Sequence, residues 1–534
     1  MLDAKFFGRE SYLLNLHKRV SDLKNGYRHN MAIIGDELLG KTSLICRLLS
    51  SYYDNNIIPV YMQVRPESFS VFARRFIGAL LYNFLSCGNL NLKEDLDFLI
   101  NKSSGYAPAT TVKIRELLLS IQKRKKINLF GELIALCEHL HKETGKYCLV
   151  IFDEFHNLES LGVNKIYPQW SKALMSQKST MFIITSSFKF RAKQILAKDL
   201  SLLFGNFEVL EIEPFDTRLS AFYLKKYLPQ ASSGALSFLV HFTGGYPFYL
   251  DVISEALNAR ADLNVVDALE ELLFESSGML NQRFSNYLKR FTDSSASQDF
   301  VTIMYHICNG HNRVKDIAHL MHKPANVINA RVNTLMEMDA VSKNGDFVRI
   351  NDRVFGFWLK FVYQEKLNSF TFDARNQKNL FRAYVEGMLD EFTLINNRPL
   401  SERMQEILKL FGDDIIQVSS KRLRLAAFRE IKPLEFNNRN LKHGLLGRSS
   451  DALWIMALKQ DQVSEEFVAE FAKECRRYHH KAQKKVIVSL NEVDTNARLR
   501  AMEEKIITWD LNSLNQIFDL FYKPRIVPLY SEKI

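Results

Sequence analysis

Gly35-Asp36-Glu37-Leu38-Leu39-Gly40-Lys41-Thr42 has the form G-x-x-x-x-G-K-[ST] and sits between an apolar run, Met31-Ala32-Ile33-Ile34, and the amphipathic segment Ser43-Leu44-Ile45-Cys46-Arg47-Leu48-Leu49. Strand, glycine loop and helix in this order separate a phosphate-binding loop from an ordinary glycine turn. The glycines admit backbone conformations that aim several N–H groups at one anion, and the helix N-terminus adds its dipole. The motif predicts a nucleotide site lined by Gly35 to Ser43, with Lys41 reaching the β- and γ-phosphates and Thr42 holding Mg²⁺.

A second, acidic strand is needed to place the metal and the attacking water. Cys148-Leu149-Val150-Ile151-Phe152 is uninterruptedly apolar, as a strand buried on both faces of a parallel sheet must be, and it ends in Asp153-Glu154. Asp153 is expected in the Mg²⁺ shell, and Glu154 is expected to orient or deprotonate water, so Lys41, Asp153 and Glu154 form the predicted catalytic set. A third buried run, Met181-Phe182-Ile183-Ile184, ends in Thr185-Ser186-Ser187. In P-loop ATPases of the additional-strand type a polar residue there senses the γ-phosphate; that likeness assigns the role to Thr185 or Ser186.

Phe7-Gly8-Arg9-Glu10, the phosphate loop, the Asp153-Glu154 strand and Thr243-Gly244-Gly245-Tyr246-Pro247 together resemble the archaeal-type ATPases of the STAND group, relatives of AAA+ and of the origin-recognition ATPases, over roughly residues 5 to 365. The resemblance implies that Phe7, Gly8, Arg9 and Pro247 flank the adenine of ATP; Gly244-Gly245 also reads as a helix-capping turn. Many relatives carry an arginine after an L-[FY]-G segment, where this chain has Leu203-Phe204-Gly205-Asn206. Arg191 and Arg218 are then the loose candidates for that charge, and fast turnover is not expected.

Beyond the core, residues 216 to 290 read as helical. From 297 to 363 the pattern is three short helices and a hairpin: Phe300 to Cys308, Val314 to Met321, a third helix with Pro324 near its first turn, then Ala340 to Lys343 and Phe347 to Ile350 around Asn344-Gly345-Asp346. This is the pattern of a winged helix-turn-helix, and Asn351 to Trp358 resembles the tail that closes it in the archaeal family. Its third helix would offer Asn326, Asn329 and Arg331 to a DNA groove. Six basic against five acidic residues from 297 to 350 give only +1, too little for the phosphate neutralisation that dominates DNA affinity.

After the polar stretch Asp373 to Lys378, helices alternate with strands: Ser401 to Phe411, Leu453 to Leu458, Val463 to His479, Lys485 to Leu490 and Ser513 to Phe521. The order resembles the nuclease-like domain of related archaeal ATPases. Active members carry an aspartate and then E-x-K; here Asp451 is followed by Ala457 and Lys459, so one metal ligand is missing, with Glu402 or Glu406 as conceivable substitutes. The expected architecture is therefore α/β: a P-loop NTPase core of AAA+/STAND type (1–215), a helical lid (216–292), a winged helix-turn-helix (293–365) and a degenerate nuclease-like α/β domain (370–534).

Composition sets the outer bounds. The 534 residues, 47% hydrophobic and 25% charged, exclude disordered and collagenous classes and suggest three or four domains at roughly 150 residues each. Six scattered cysteines without a C-x-x-C pair argue against a zinc site or disulfide frame. Met1 to Lys5 lacks a secretory pattern and the apolar runs fall short of a membrane span, so the expectation is a cytoplasmic protein. The net charge of +11 is spread out, and Lys123-Arg124-Lys125-Lys126 reads as a solvated loop. Together these features point to an ATP- and Mg²⁺-dependent switch, with DNA, a protein partner or a second copy of the chain as what it acts on. An ATP-regulated nuclease and a non-hydrolysing scaffold are the alternatives.

Overall fold

The computed structural model describes residues 6–86, 92–123, 128–200, 207–260, 262–292, 297–368, 373–418, 421–436, 440–478, 483–491 and 493–528. Met1 to Lys5, Arg124 to Lys126, Leu203 to Asn206 and His479, named above, lie outside them. The chain forms two compact units, Met1–Pro214 and Phe215–Ile534.

The first unit is built on five parallel strands: β1 (Asn30–Ile34), β2 (Ile57–Gln63), β3 (Tyr147–Asp153), β4 (Thr180–Ser186) and β5 (Phe207–Glu211), in the order β2-β3-β4-β1-β5. β1 and β4 are buried along their whole length and β3 from Cys148 onward, which is why their sequences are runs rather than alternations. β4 lies between β1 and β3, pairing Ile33 with Thr185 and Phe152 with Ile184, so the carboxyl ends of all three come together. An aromatic cluster fills one side: Trp170 sits 5.4 Å from Phe152 and 5.5 Å from Phe182, both edge-on, the favoured geometry for such pairs. Helix α3 (Phe69–Ser86) packs on this sheet with the later helices that precede β3, and α1 (Glu10–Asp22) lies against α2 (Lys41–Ser51).

The second unit begins with helices Thr217–Tyr227, Ser233–Thr243, Pro247–Asn258 and Met279–Thr292. The expected helix, helix, helix and hairpin follow as Ser297–Cys308, Val314–Leu320, Ala325–Glu337, β6 (Val341–Asn344) and β7 (Phe347–Ile350). Pro324 is the residue before the third helix rather than part of its first turn, because its ψ of 142° is extended. The hairpin does not stand free. Asn344 Nδ2 donates to the Gln417 carbonyl at 2.8 Å and Gln417 N to Asn344 Oδ1 at 2.6 Å, while the Phe347 and Phe521 rings lie 5.2 Å apart. Gly345 has φ +61°, and a Cβ there would overlap the Ile415 carbonyl oxygen. We expect Gly345→Ala to unseat the hairpin and destabilise the second unit by about 1–3 kcal/mol; an unchanged urea midpoint for that unit would show the contact to be slack.

The sequence reading named neither the long helix Ala374–Asn396 nor, C-terminal to it, the hairpin β8 (Asp414–Val418) and β9 (Lys421–Leu425), the antiparallel start of the main sheet, β10 (Phe428–Glu435) and β11 (His443–Ser449), the helix Thr495–Glu503 and the last strand of that sheet. The sheet continues through β12 (Leu453–Lys459), β13 (Gln483–Ser489) and β14 (Ile506–Trp509), antiparallel up to β12 and parallel beyond. The helix expected from Val463 starts only at Glu465: Ser464 caps it by accepting from Phe467 N, and Val463 bridges to Val493.

A buried knot ties this unit together. Asp519, 3% exposed at its side chain, pairs with Arg353 and, at 2.7 Å, with Arg525. His241 Nδ1 faces Arg353 Nη1 at 3.1 Å and Arg525 N at 3.2 Å. Burial, reinforced by Arg353 and Arg525, pushes the His241 imidazole well below its ordinary 6.5, so the folded state refuses a proton that the unfolded chain accepts. The resulting stability is present above about pH 6.5 and lost as pH falls. Asp352, pushed up to about 6 by burial, titrates with the opposite sign in the same window. The informative comparison is therefore between His241→Gln and wild type: between pH 7.5 and 5.5 the wild-type urea midpoint is expected to fall further than the variant's.

Candidate functional site

β1 delivers the chain to the loop at Gly35. A Cβ there would sit 2.5 Å from the Ile212 carbonyl oxygen, so only glycine fits against the segment after β5. Leu38 and Gly40 both take positive φ, 68° and 82°, curling the loop before α2 starts at Lys41. No side chain caps α2, leaving its first N–H groups for an anion. Lys41 is 4% exposed, and its Nζ donates to the carbonyls of Gly35 at 3.0 Å and Asp36 at 2.7 Å. Burial lowers its pKa, against the pull of Glu154, Asp36 and Asp153. A buried ammonium over an uncapped helix start is a fitting seat for polyphosphate. Within the loop Leu39 is buried, Asp36 is tied to Lys189 at 2.9 Å, Glu37 is half-buried, and Ser43 is exposed.

The ends of β3 and β4 supply the acidic half. Asp153 is fully buried, and its Oδ2 accepts from Thr42 Oγ1 at 2.9 Å, joining the two predicted metal-holding residues. The same oxygen accepts from the Tyr61 hydroxyl at 2.9 Å, while Oδ1 accepts from Thr185 Oγ1. A hydroxyl beside a buried carboxylate is a fitting donor set for Mg²⁺, which takes oxygen ligands and retains waters. Thr185 also accepts from the Glu154 N–H at 3.2 Å, spanning both acidic residues.

Glu154 stands in the left-handed region at φ 59°, a conformation that costs a non-glycine residue about 1 kcal/mol or more and aims its side chain away from the strand line. Its carboxylate accepts from Ser187 N at 2.8 Å and from the Ser187 hydroxyl, and lies 3.4 Å from His156 Nδ1. His156 in turn meets Ser186 Oγ at 2.9 Å, and burial lowers its pKa, favouring the neutral ring. Tyr61, His156, Ser187 and Lys189 were missed as site residues. Only Ser187, in the polar cluster closing β4, carried a sequence signal.

Arg9 precedes α1, 7% exposed, and donates from Nη2 to the Glu213 carbonyl at 2.6 Å; Gly8 has φ 68° and Phe7 is half-buried beside it. Pro247 belongs to the second unit, where it opens its helix. There Gly244 ends the preceding helix in the left-handed conformation, and Gly245, φ 85°, packs against the Phe215 carbonyl. Arg191 is engaged by Glu159 and Gln194, and Arg218 donates to the Leu490 carbonyl at 2.7 Å and Asn491 Oδ1 at 2.8 Å.

In the C-terminal sheet Asp451 precedes β12 and Lys459 ends it, so a strand of about 20 Å at roughly 3.3 Å per residue separates them. Asp451 pairs with Arg424 at 2.8 Å, Ala457 is fully buried, and Glu406 pairs with Arg398. The nuclease triplet does not converge. Among the described residues no three His, Cys, Asp or Glu side chains gather in a metal-ligand group, and no helix is long and apolar enough to cross a membrane.

No protein-family model and no curated protein matches the chain. Among solved structures, a Walker-type ATPase from Pyrococcus abyssi aligns at 18% identity with TM-score 0.50, over 67% of this chain and 97% of the other. The ORC2 protein of Aeropyrum pernix, in ADPNP and ADP complexes, aligns at 12% identity with TM-score 0.41, over 69% and 98%. A STAND protein with a tetratricopeptide repeat sensor from Pyrococcus horikoshii aligns at 14% identity with TM-score 0.28, over 76% and 50%. The first of these is a likeness of fold: the parallel sheet with its loop between β1 and α2 has the fold of a P-loop NTPase core.

Proposed function

We propose that the chain is an ATP-binding P-loop ATPase that works as a nucleotide-dependent switch. The observation carrying this is the meeting of Thr42, Asp153, Thr185 and Glu154 beside the buried Lys41. Lys41 binds the β- and γ-phosphates, Thr42 and Asp153 hold Mg²⁺, Thr185 with Ser186 links the γ-phosphate position to the acidic strand, and Glu154 orients or deprotonates the attacking water. The bound metal supplies Lewis-acid polarisation of the phosphates. Phe7, Gly8, Arg9 and Pro247 are assigned to the adenine. Both acidic side chains are engaged by hydroxyls, and no arginine follows the L-F-G segment, which together favour slow turnover.

The lid, the winged helix-turn-helix and the degenerate nuclease-like domain complete the proposal, with a protein partner favoured over DNA. The hairpin that would enter a groove is held by Gln417 and Ile415, Arg331 lies 3.7 Å from Asp299, and Lys343 donates to Asn329 at 3.1 Å. A nucleotide shifts such a molecule only if it binds one arrangement of the chain better than another. The test is small-angle scattering with and without a slowly hydrolysed ATP analogue plus Mg²⁺. A changed particle dimension is expected; superimposable curves at saturating nucleotide would reject the switch.

A further inference from the structure

We propose that Tyr61 is a positioning residue for the metal-holding carboxylate: its hydroxyl fills the second acceptor site on Asp153 Oδ2 and so fixes the direction in which that carboxylate can still bind. The inference rests on the P-loop assignment above and deepens it.

Tyr61 lies on β2, the strand beyond β3 from the loop, and no phosphate-loop or acidic-strand motif contains it. Parallel pairing puts Tyr61 opposite Ile151 and Gln63 opposite Asp153, so the tyrosine ring must reach two residues along the sheet for its hydroxyl to meet the carboxylate. It does so at 2.9 Å, on the oxygen that also accepts Thr42 Oγ1 at 2.9 Å. The other oxygen accepts Thr185 Oγ1. An ionised carboxylate offers about four lone-pair sites. With Oδ2 filled twice and Oδ1 once, one site is left, on Oδ1.

The three donors come from three different elements, α2, β2 and β4. The hydroxyls of Thr42 and Thr185 have other duties, Thr42 toward the metal and Thr185 toward the Glu154 N–H. Tyr61 alone among them has positioning as its whole task. Without its hydroxyl, Oδ2 keeps Thr42 as a single donor, and the carboxylate can rotate about its side-chain bond. Phosphate binding by Lys41 and the loop N–H groups does not pass through this contact, so the loss should fall on metal affinity and spare metal-free nucleotide affinity.

The experiment uses Tyr61→Phe and Tyr61→Leu in the full chain, with a fluorescent ATP analogue titrated in EDTA and then with increasing Mg²⁺. In EDTA both variants should match wild type in nucleotide affinity within twofold and still melt cooperatively, at a temperature lowered only by the hydrogen bond lost to Asp153. In the Mg²⁺ titration the midpoint should rise about tenfold in Tyr61→Phe, the size expected for one lost hydrogen bond to a charged group, and by the same factor in Tyr61→Leu. A wild-type midpoint in Tyr61→Phe overturns the proposal, as does a defect confined to Tyr61→Leu, which would make the ring a packing element only. Should wild type itself bind the analogue with no response to Mg²⁺, the metal assignment of Thr42 and Asp153 falls and takes the role of Tyr61 with it. A defect equal in EDTA and Mg²⁺ would also overturn the proposal.

Discussion

Lys41→Ala is expected to weaken ATP binding about a hundredfold while leaving the fold intact. The two halves of that expectation have separate causes. Lys41 Nζ is buried against two neutral carbonyls, those of Gly35 and Asp36, and burial lowers its pKa, so the ammonium is held at a cost that a phosphate would offset. Charge-assisted bonds to phosphate contribute about 1.5–3 kcal/mol each, and two of them near the lower limit give about 3 kcal/mol, or a little over a hundredfold in Kd. Removing the ammonium also removes its desolvation cost, which limits the damage to the empty protein to roughly 1 kcal/mol from the two carbonyls that lose a donor. Titration calorimetry with a slowly hydrolysed ATP analogue measures the first half and a thermal melt without nucleotide the second. A Kd within threefold of wild type would overturn the assignment of the loop. Lys41→Arg is no conservative control, because the planar guanidinium cannot fit a site this buried without displacing the loop.

What could be read from the chain follows from where its information is local. β1, β3 and β4 were legible because burial on both faces forces continuous apolar runs, and the polar ends of β3 and β4 mark where such runs reach the loop edge of the sheet. The loop itself was legible as a motif, yet the need for glycine at 35 comes from the Ile212 carbonyl, far along the chain. Tyr61 could not be found at all: no motif or expected element covers residues 57–63, and its partner Asp153 is 92 residues away. In the second unit, Lys421-Arg422-Leu423-Arg424-Leu425 and Arg429 to Glu435 carry so many charges that they read as solvent-facing segments. They form strands through backbone pairing with β8 and β11, and Leu425 is the one buried residue the two strands contribute. The nuclease-like triplet came from a resemblance and already lacked its glutamate at Ala457; the extended backbone in addition carries Asp451 and Lys459 to opposite ends of β12.

Glu154→Gln is expected to reduce ATP turnover by about 10²- to 10⁴-fold, the usual contribution of a general base, with nucleotide affinity unchanged within threefold. The substitution is a clean one here for a structural reason. Residue 154 sits at φ 59°, and glutamate and glutamine bear the same strain there, so the backbone gains nothing by moving. The carboxylate accepts from Ser187 N and from the Ser187 hydroxyl; an amide can keep the first bond with its oxygen and reverse the second, donating to the hydroxyl, which accepts as readily as it donates. What the amide cannot do is take up a proton from water. His156, neutral by burial and 3.4 Å from the carboxylate, offers no substitute base in line with the loop, since its Nδ1 is already shared with Ser186. Steady-state phosphate release and analogue binding, measured on the same preparation, separate the outcomes. Turnover lost with binding kept makes Glu154 the base and the chain an ATPase. Equal turnover in variant and wild type removes Glu154 from the chemistry. A wild type that binds ATP with Mg²⁺ and releases no phosphate would mean that the hold of Ser187 and His156 on this carboxylate is permanent, and the chain would then be a nucleotide-bound scaffold rather than a switch.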